Sequence, residues 1–231
     1  ACAVRGVEPR GRRLHVLHAR GETRARHAVF CAGGWSDRLA EAAGAAADPR
    51  IVPFRGAWLR LRPERRHLVR AHVYPVPDPR LPFLGVHLTR HPSGEVLVGP
   101  TALLVGARDA YRLRRVVPRD VLSTVLWPGT WRMARRWWRI GLSEIRQAAS
   151  RRALAADAAR YVPGLTADDL LPGPAGVRAQ ALARDGRLLD DFAFSETERA
   201  LHVRNAPSPA ATAALAIAGV VMDRVERSLE H

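Results

Sequence analysis

Between Ile51 and Val105 the chain offers one strand candidate after another with no helix between them. That succession restricts this stretch to an antiparallel sheet, because parallel neighbours need a crossover of a dozen or more residues. The candidates are residues 56–62, 68–74, 83–90 and 95–99, punctuated by prolines, with Pro92-Ser93-Gly94 as a hairpin turn. Upstream, residues 3–8 and 14–18 alternate apolar and polar around Pro9-Arg10-Gly11, the pattern of a β-hairpin. A turn at Arg20-Gly21-Glu22 leads to a short apolar strand over 27–31, then Ala32-Gly33-Gly34, then a helix over 35–43 capped by Ser36 or Asp37. Downstream, residues 119–160 read as helical, 175–182 and 200–205 as strands, and 209–229 as a final helix. The expected fold class is α/β plus antiparallel β with a helical segment.

At 231 residues the chain suits one large domain or two small ones. Its net charge of +15 resembles a nucleic-acid signal until the basic residues are sorted: all 37 are arginine, and none is lysine. A GC-rich coding bias produces that pattern without any partner, and the arginines follow no nucleic-acid-binding signature, so no nucleic-acid partner is expected. The missing lysine also excludes a Walker A phosphate loop and a pyridoxal-phosphate Schiff base. Cys2 and Cys31 form no Cys-x-x-Cys pair, no zinc spacing occurs among the histidines, and no Gly-x-Ser-x-Gly elbow is present. No metal is expected, and the cysteine usage fits a reducing, cytoplasmic compartment. The longest apolar stretch, Ala210 to Met222, is too short to span a bilayer. No secretory leader is evident, and the chain opens in strand-like sequence, so an upstream segment of a longer protein is expected.

Four segments can carry chemistry. Ala32-Gly33-Gly34, between a strand and a helix, is laid out like a nucleotide-contacting loop, although a plain tight turn gives the same pattern. His87 stands among apolar neighbours and becomes a base candidate where its strand borders a cleft; otherwise it is a core residue. Arg178, framed by small residues in Pro174-Ala175-Gly176-Val177-Arg178-Ala179-Gln180, is either a fork for a substrate carboxylate or half of an ion pair. In Asn205-Ala206-Pro207-Ser208-Pro209, Ser208 suits an N-cap and Pro209 the first helical position. The N–H groups of Ala210, Ala211 and Thr212 would then point out of a helix end, an anion site or simply a cap. Around Trp131 to Arg146 a helical wheel gathers five arginines on one side, opposite Trp137, Trp138, Ile140, Leu142 and Ile145. That pattern suits either a solvated face over a core stripe or a helix lying on an anionic membrane.

Long words of this sequence, in order, resemble one family. They are Ile51-Val52-Pro53-Phe54-Arg55-Gly56, Tyr74-Pro75-Val76-Pro77-Asp78-Pro79, Pro82 to Thr89, Val98-Gly99-Pro100, Pro174 to Gln180 and Asn205 to Thr212. From about Arg26 onward the chain is similar to the L-2-hydroxyglutarate oxidases and dehydrogenases among the D-amino-acid-oxidase-like flavoproteins. The resemblance implies an FAD-binding domain, here incomplete and built from residues 1–50 and 172–231, with an antiparallel-sheet substrate domain over 51–171. It implies oxidation of L-2-hydroxyglutarate, a dicarboxylate 2-hydroxy acid, to 2-oxoglutarate by hydride transfer to flavin, with oxygen or a quinone as the open choice of acceptor. Cofactor contacts would fall on Ala32, Gly33, Gly34, Gly176, Val177, Asn205, Ala206, Pro207, Ser208, Ala210, Ala211 and Thr212. Substrate contacts would fall on Arg55, Tyr74 and Arg178, and His87 is the base expected on chemical grounds. Contact of helix 131–146 with the inner face of the cytoplasmic membrane is a further expectation. The sequence departs from the family pattern at Thr101, usually asparagine, and at Ala57-Trp58, usually a more polar pair. Gly-x-Gly-x-x-Gly, which relatives place in their first βαβ unit, is absent, so this chain is expected to hold FAD poorly by itself. A catalytically inactive remnant of the flavoenzyme or, less in keeping with the residues, a basic nucleic-acid-binding module are the alternatives.

Overall fold

Glycines with positive φ set the first turns. Gly11 (φ 55°) closes a hairpin between β1 (Val4–Arg10) and β2 (Arg13–His18), and β3 (Gly21–Ala25) adds a third antiparallel strand. Next come β4 (Ala28–Phe30), a tight turn at Gly33–Trp35, α1 (Ser36–Ala42) and the long β5 (Arg50–Leu61). β6 (His87–Arg90), β7 (Val96–Gly99) and β8 (Leu103–Leu104) precede α2 (Pro118–Val125), α3 (Pro128–Ala149) and α4 (Arg151–Ala159). β9 (Leu170–Leu182), β10 (Ala193–Thr197), β11 (Ala200–Asn205) and α5 (Ala214–Leu229) complete the chain. The computed structural model describes residues 2–77, 83–206 and 210–229.

The chain divides into two units. The first comprises residues 1–52, 126–130 and 179–231. Its second sheet runs β10-β11-β4, and β11 and β4 are parallel, with Ala200 opposite Ala28 and His202 opposite Phe30. Val7, Leu14, Phe30, Ala43 and Ala200 pack as one core, while Ile217, Val221 and Val225 of α5 cover Leu201 and Phe194. Several polar groups in this interior are tied down. The Arg204 guanidinium, 1% exposed, donates to the carbonyls of Ala46 and Pro49 and to Ser195 Oγ. Asp37 accepts from the amides of Ile51 and Arg38, and Ser36 Oγ donates to the Arg204 carbonyl. Neither side chain caps α1, because both are drawn inward to satisfy backbone groups of neighbouring segments.

The second unit comprises residues 53–125 and 131–178. Its sheet runs β6-β7-β5-β8, with β9 also pairing to β5. Leu61, Leu88, Val96, Val98 and Leu170 face Leu154, Ala155 and Ala158 of α4 across one core. The β5–β9 approach is close: a Cβ at Gly173 would stand 2.4 Å from the Trp58 carbonyl oxygen. Gly99 (φ +140°) plays the same part on the β7 side, where a Cβ would lie 2.9 Å from the Ala57 oxygen.

Several sequence expectations are corrected. Residues 68–74 form no strand beyond a bridge from Val73 to Leu88, since Pro63–Leu68 winds into a 3-10 turn. The Arg90 guanidinium donates to the carbonyls of Arg66 and Val69, replacing ladder bonds there. β3 and β10 are additional strands. The final helix begins at Ala214 rather than 209; Ala210–Ala213 form turns, and the Ser208 and Pro209 expected to cap it lie outside the described residues. Leu215 is 92% exposed and the first buried side chain is Val221, so no packing stabilises an earlier start. On α3 the expected core stripe is overturned. Met133, Trp137, Ile140, Glu144 and Gln147 face inward, whereas Trp131, Trp138, Leu142 and Ile145 are all more than half exposed.

Candidate functional site

Strand alternation builds the wall of a cavity of about 270 Å3 in the second unit. β5 supplies Phe54, Gly56 and Trp58 from one face; β9 supplies Gly176, Val177 and Arg178; α3 supplies Glu144. Arg55 has the opposite parity on β5, and its Nε donates to the Tyr111 carbonyl at 3.1 Å, so the structure does not bring it to the cavity. Gly176 leaves its stretch of wall open, since a Cβ there would meet nothing within 4 Å. Thr101, where the family pattern departs, is a stitch: its amide donates to the Ala57 carbonyl and its Oγ1 accepts from the Ala57 amide.

Arg178 lies over the Phe83 ring at 5.0 Å, and Phe83 meets Phe54 edge-on at 5.1 Å. No carboxylate pairs with Arg178 among the described residues. Burial draws its guanidinium below the usual arginine range, because desolvation disfavours the charged form. Glu144 is the second charged side chain of the wall. Its carboxyl is pushed up by burial and by the charge of Asp157, against the pull of the Ala102 amide that donates to Oε2.

His87 sits beside this cavity and not in its lining. It pairs across the β6–β7 ladder with Gly99, whose missing side chain leaves room for Trp58 to meet the imidazole edge-on at 5.0 Å. The Val73–Leu88 bridge brings Tyr74 over the other side of the ring, stacked at 4.7 Å. The Gly85 carbonyl can only accept, so Nδ1 carries the hydrogen of their 3.0 Å bond and Nε2 keeps its lone pair. Burial, and secondarily Arg178, lowers the imidazole pKa, holding the ring neutral. Tyr74 is half exposed, and its ring meets His87 and, at 6.1 Å, His72.

In the first unit the parallel β4 and β11 both end at the same edge, β4 running into Ala32-Gly33-Gly34 and β11 into Asn205-Ala206. The carboxyl ends of parallel strands are where α/β sheets receive nucleotides. Gly33 has φ +51°, and a Cβ there would meet nothing within 4 Å, an open cradle that an approaching pyrophosphate fits. Asn205 is different from expectation: its side-chain amide donates to the carbonyls of Leu189 and Asp191, so it braces the neighbouring segment. Ala206 is exposed, Ala210, Ala211 and Thr212 lie in turns rather than at a helix end, and Pro207 and Ser208 lie outside the described residues.

The sequence reading missed Glu144, Phe83 and Trp58 as wall residues. One signal for Glu144 was present, since it is the single carboxylate between Trp131 and Arg146.

Comparison with known proteins agrees with this architecture. L-2-hydroxyglutarate dehydrogenases are similar over most of the chain. The mitochondrial protein of Nematostella vectensis is 47% identical over 204 residues, covering 86% of this chain and 45% of that protein. The human mitochondrial protein is 44% identical, with 90% and 46% covered, and that of Indibacter alkaliphilus 42%, with 84% and 49% covered. This chain thus spans about half the length of these curated relatives. Among solved structures, FAD-bound L-alpha-glycerophosphate oxidase from Mycoplasma pneumoniae matches with a TM-score of 0.57 at 18% identity, covering 94% of this chain and 48% of that one. Glycerol-3-phosphate dehydrogenase from Bacillus halodurans, complexed with FAD, matches at 0.55 and 16%, covering 97% and 39%; both likenesses concern the fold alone. The family model for FAD dependent oxidoreductases matches residues 1–224, and the chain belongs to that family.

Proposed function

We propose that this chain is the portion of an FAD-dependent enzyme that holds L-2-hydroxyglutarate for oxidation to 2-oxoglutarate. The observation carrying the reading is the guanidinium of Arg178, lining a cavity with no carboxylate partner among the described residues, beside an imidazole held neutral. In this reading the first unit serves the cofactor, with Ala32, Gly33 and Gly34 receiving its pyrophosphate, and the second unit serves the substrate. Bound flavin supplies the hydride acceptor. Arg178 clamps one carboxylate, with charged hydrogen bonds each worth about 1.5–3 kcal/mol. Phe54, Trp58 and Phe83 exclude water around it, and His87 Nε2 takes the hydroxyl proton. The names and identities of the relatives support the choice of substrate.

Dye reduction driven by L-2-hydroxyglutarate in the flavin-supplied protein tests the reading. His87→Ala is expected to lower kcat by about 10²–10⁴-fold. Activity of the unaltered protein should fall in acid, as the imidazole is protonated through its depressed pKa. A kcat unmoved by the substitution removes His87 from the chemistry, and bound flavin without turnover would mark an inactive remnant.

A second part of the proposal concerns where the enzyme works. No helix among the described residues is long and apolar enough to cross a membrane. Beyond the break in helical geometry at Trp137, the exposed Trp138, Leu142 and Ile145 form a stripe along α3 beside its arginines, Trp131 is exposed before the break, and Arg139 lies over the Trp138 ring at 5.2 Å. Such a surface suits the anionic inner face of the cytoplasmic membrane, where a quinone would be within reach. The chain should co-sediment with phosphatidylglycerol-containing liposomes, and Trp138→Ser/Leu142→Ser should abolish this; equal binding to neutral liposomes would contradict it.

A further inference from the structure

We infer that Glu144 decides which carboxylic acids the cavity accepts, taking up a proton on its free oxygen when a dicarboxylate enters. The inference rests on the reading of this cavity as a diacid site. It starts from a charge count. The lining carries one cation, Arg178, and one acid, Glu144, and the two are not paired with each other. A monocarboxylate needs only the guanidinium. A dicarboxylate brings a second negative end, and Arg55, the other arginine expected at the substrate, is turned to the other face of β5, on the Tyr111 carbonyl.

An ionised Glu144 would repel that second end. A protonated one donates its O–H to it. The geometry is built for the switch, because the Ala102 amide occupies Oε2 and remains satisfied in either state, leaving Oε1 to carry the proton into the cavity. Burial and the charge of Asp157 favour protonation, against the Ala102 amide. Asp157, on α4, adds a negative charge while bound at 2.6 Å by Gln147 Nε2, one turn along α3 from Glu144. Arg178 shares the cavity lining from β9, Thr101 and Ala102 line it from the segment after β7, and Arg160 lines a neighbouring cavity with Asp157 and Gln147. Burial acts in the same direction as Asp157.

Calorimetric titration of the full chain with glutarate and with butyrate, from about pH 6.5 to about pH 8.5, tests this. Glutarate binding should take up close to one proton, read from two buffers of different ionisation enthalpy, and its affinity should fall by up to about tenfold per pH unit. Butyrate should show neither effect. Glu144→Gln keeps an acceptor for the Ala102 amide and offers an N–H to the ligand, so its glutarate affinity should be flat across the range. Asp157→Asn, which leaves the wall intact, should start the fall at lower pH. Proton uptake that persists in Glu144→Gln and vanishes in His87→Gln would place the proton on the imidazole and overturn the inference alone. Glutarate that binds with the same strength in Arg178→Ala, or fails to bind at any pH, would overturn the diacid reading and the inference with it.

Discussion

Replacing Arg178 by alanine is expected to weaken dicarboxylate binding by about 2–4 kcal/mol, roughly 30- to 1000-fold in Kd. The magnitude follows from its circumstances. The guanidinium is partly desolvated, rests on Phe83 and has no competing carboxylate among the described residues, so an entering carboxylate gains the whole fork. Arg178→Lys keeps the charge but not the planar pair of donors, and should fall between the two, about tenfold weaker than the original. In turnover assays the alanine variant should raise KM more than it lowers kcat. Glutarate titrations that agree within about twofold for both variants would show that the ligand lies elsewhere.

The second large effect concerns stability in acid. His202 is fully buried on β11, stacked on Phe30 at 4.7 Å and 6°, and both ring nitrogens lack a hydrogen-bond partner among the described residues. Burial, then the neighbouring Arg204, lowers its pKa to about 4. A base whose folded-state pKa lies below its unfolded value of about 6.5 favours the fold when neutral. Its contribution is therefore present above about pH 6.5 and lost as pH falls towards about 4. The loss amounts to about 3 kcal/mol in full, and most of it by about pH 4.5. His202→Phe preserves a flat ring against Phe30 while removing the titration. Its urea midpoint should shift less between about pH 7 and about pH 4.5 than that of the unaltered chain. Equal shifts would mean that water or motion reaches the imidazole.

These two residues mark what sequence can and cannot disclose. Arg178 was legible because an arginine framed by small residues in a strand has few reasons to be there, and two-residue alternation then decided its side. Turns at Gly11 and Gly94 were legible because positive φ favours glycine, here two residues after Pro9 and Pro92. His202 was silent: nothing in Ala-Leu-His-Val-Arg-Asn tells that the histidine, not its neighbours, meets Phe30 of a parallel strand some 170 positions earlier. The start of α5 was misread for a related reason. Capping residues describe where a helix is able to begin, whereas the anchoring of Ile217 and Val221 on the sheet decides where it does. On α3 the wheel separated arginines from apolar residues correctly but not the two apolar stripes from each other. Only packing distinguishes Trp137, turned inward, from Trp138, turned out. Glu144 was hidden by the same limit.

Gly99 and Gly173, packed against Trp58, and Gly176, in the cavity wall, leave the pocket with unequal freedom to change. Positions 99 and 173 are locked, since any added carbon collides with backbone that cannot retreat without parting the sheet. Position 176 opens onto empty space, so side chains of graded size can grow there without disturbing the strands. Change in the size of ligand the cavity admits would run through that position, an adjustable point in a close-packed wall.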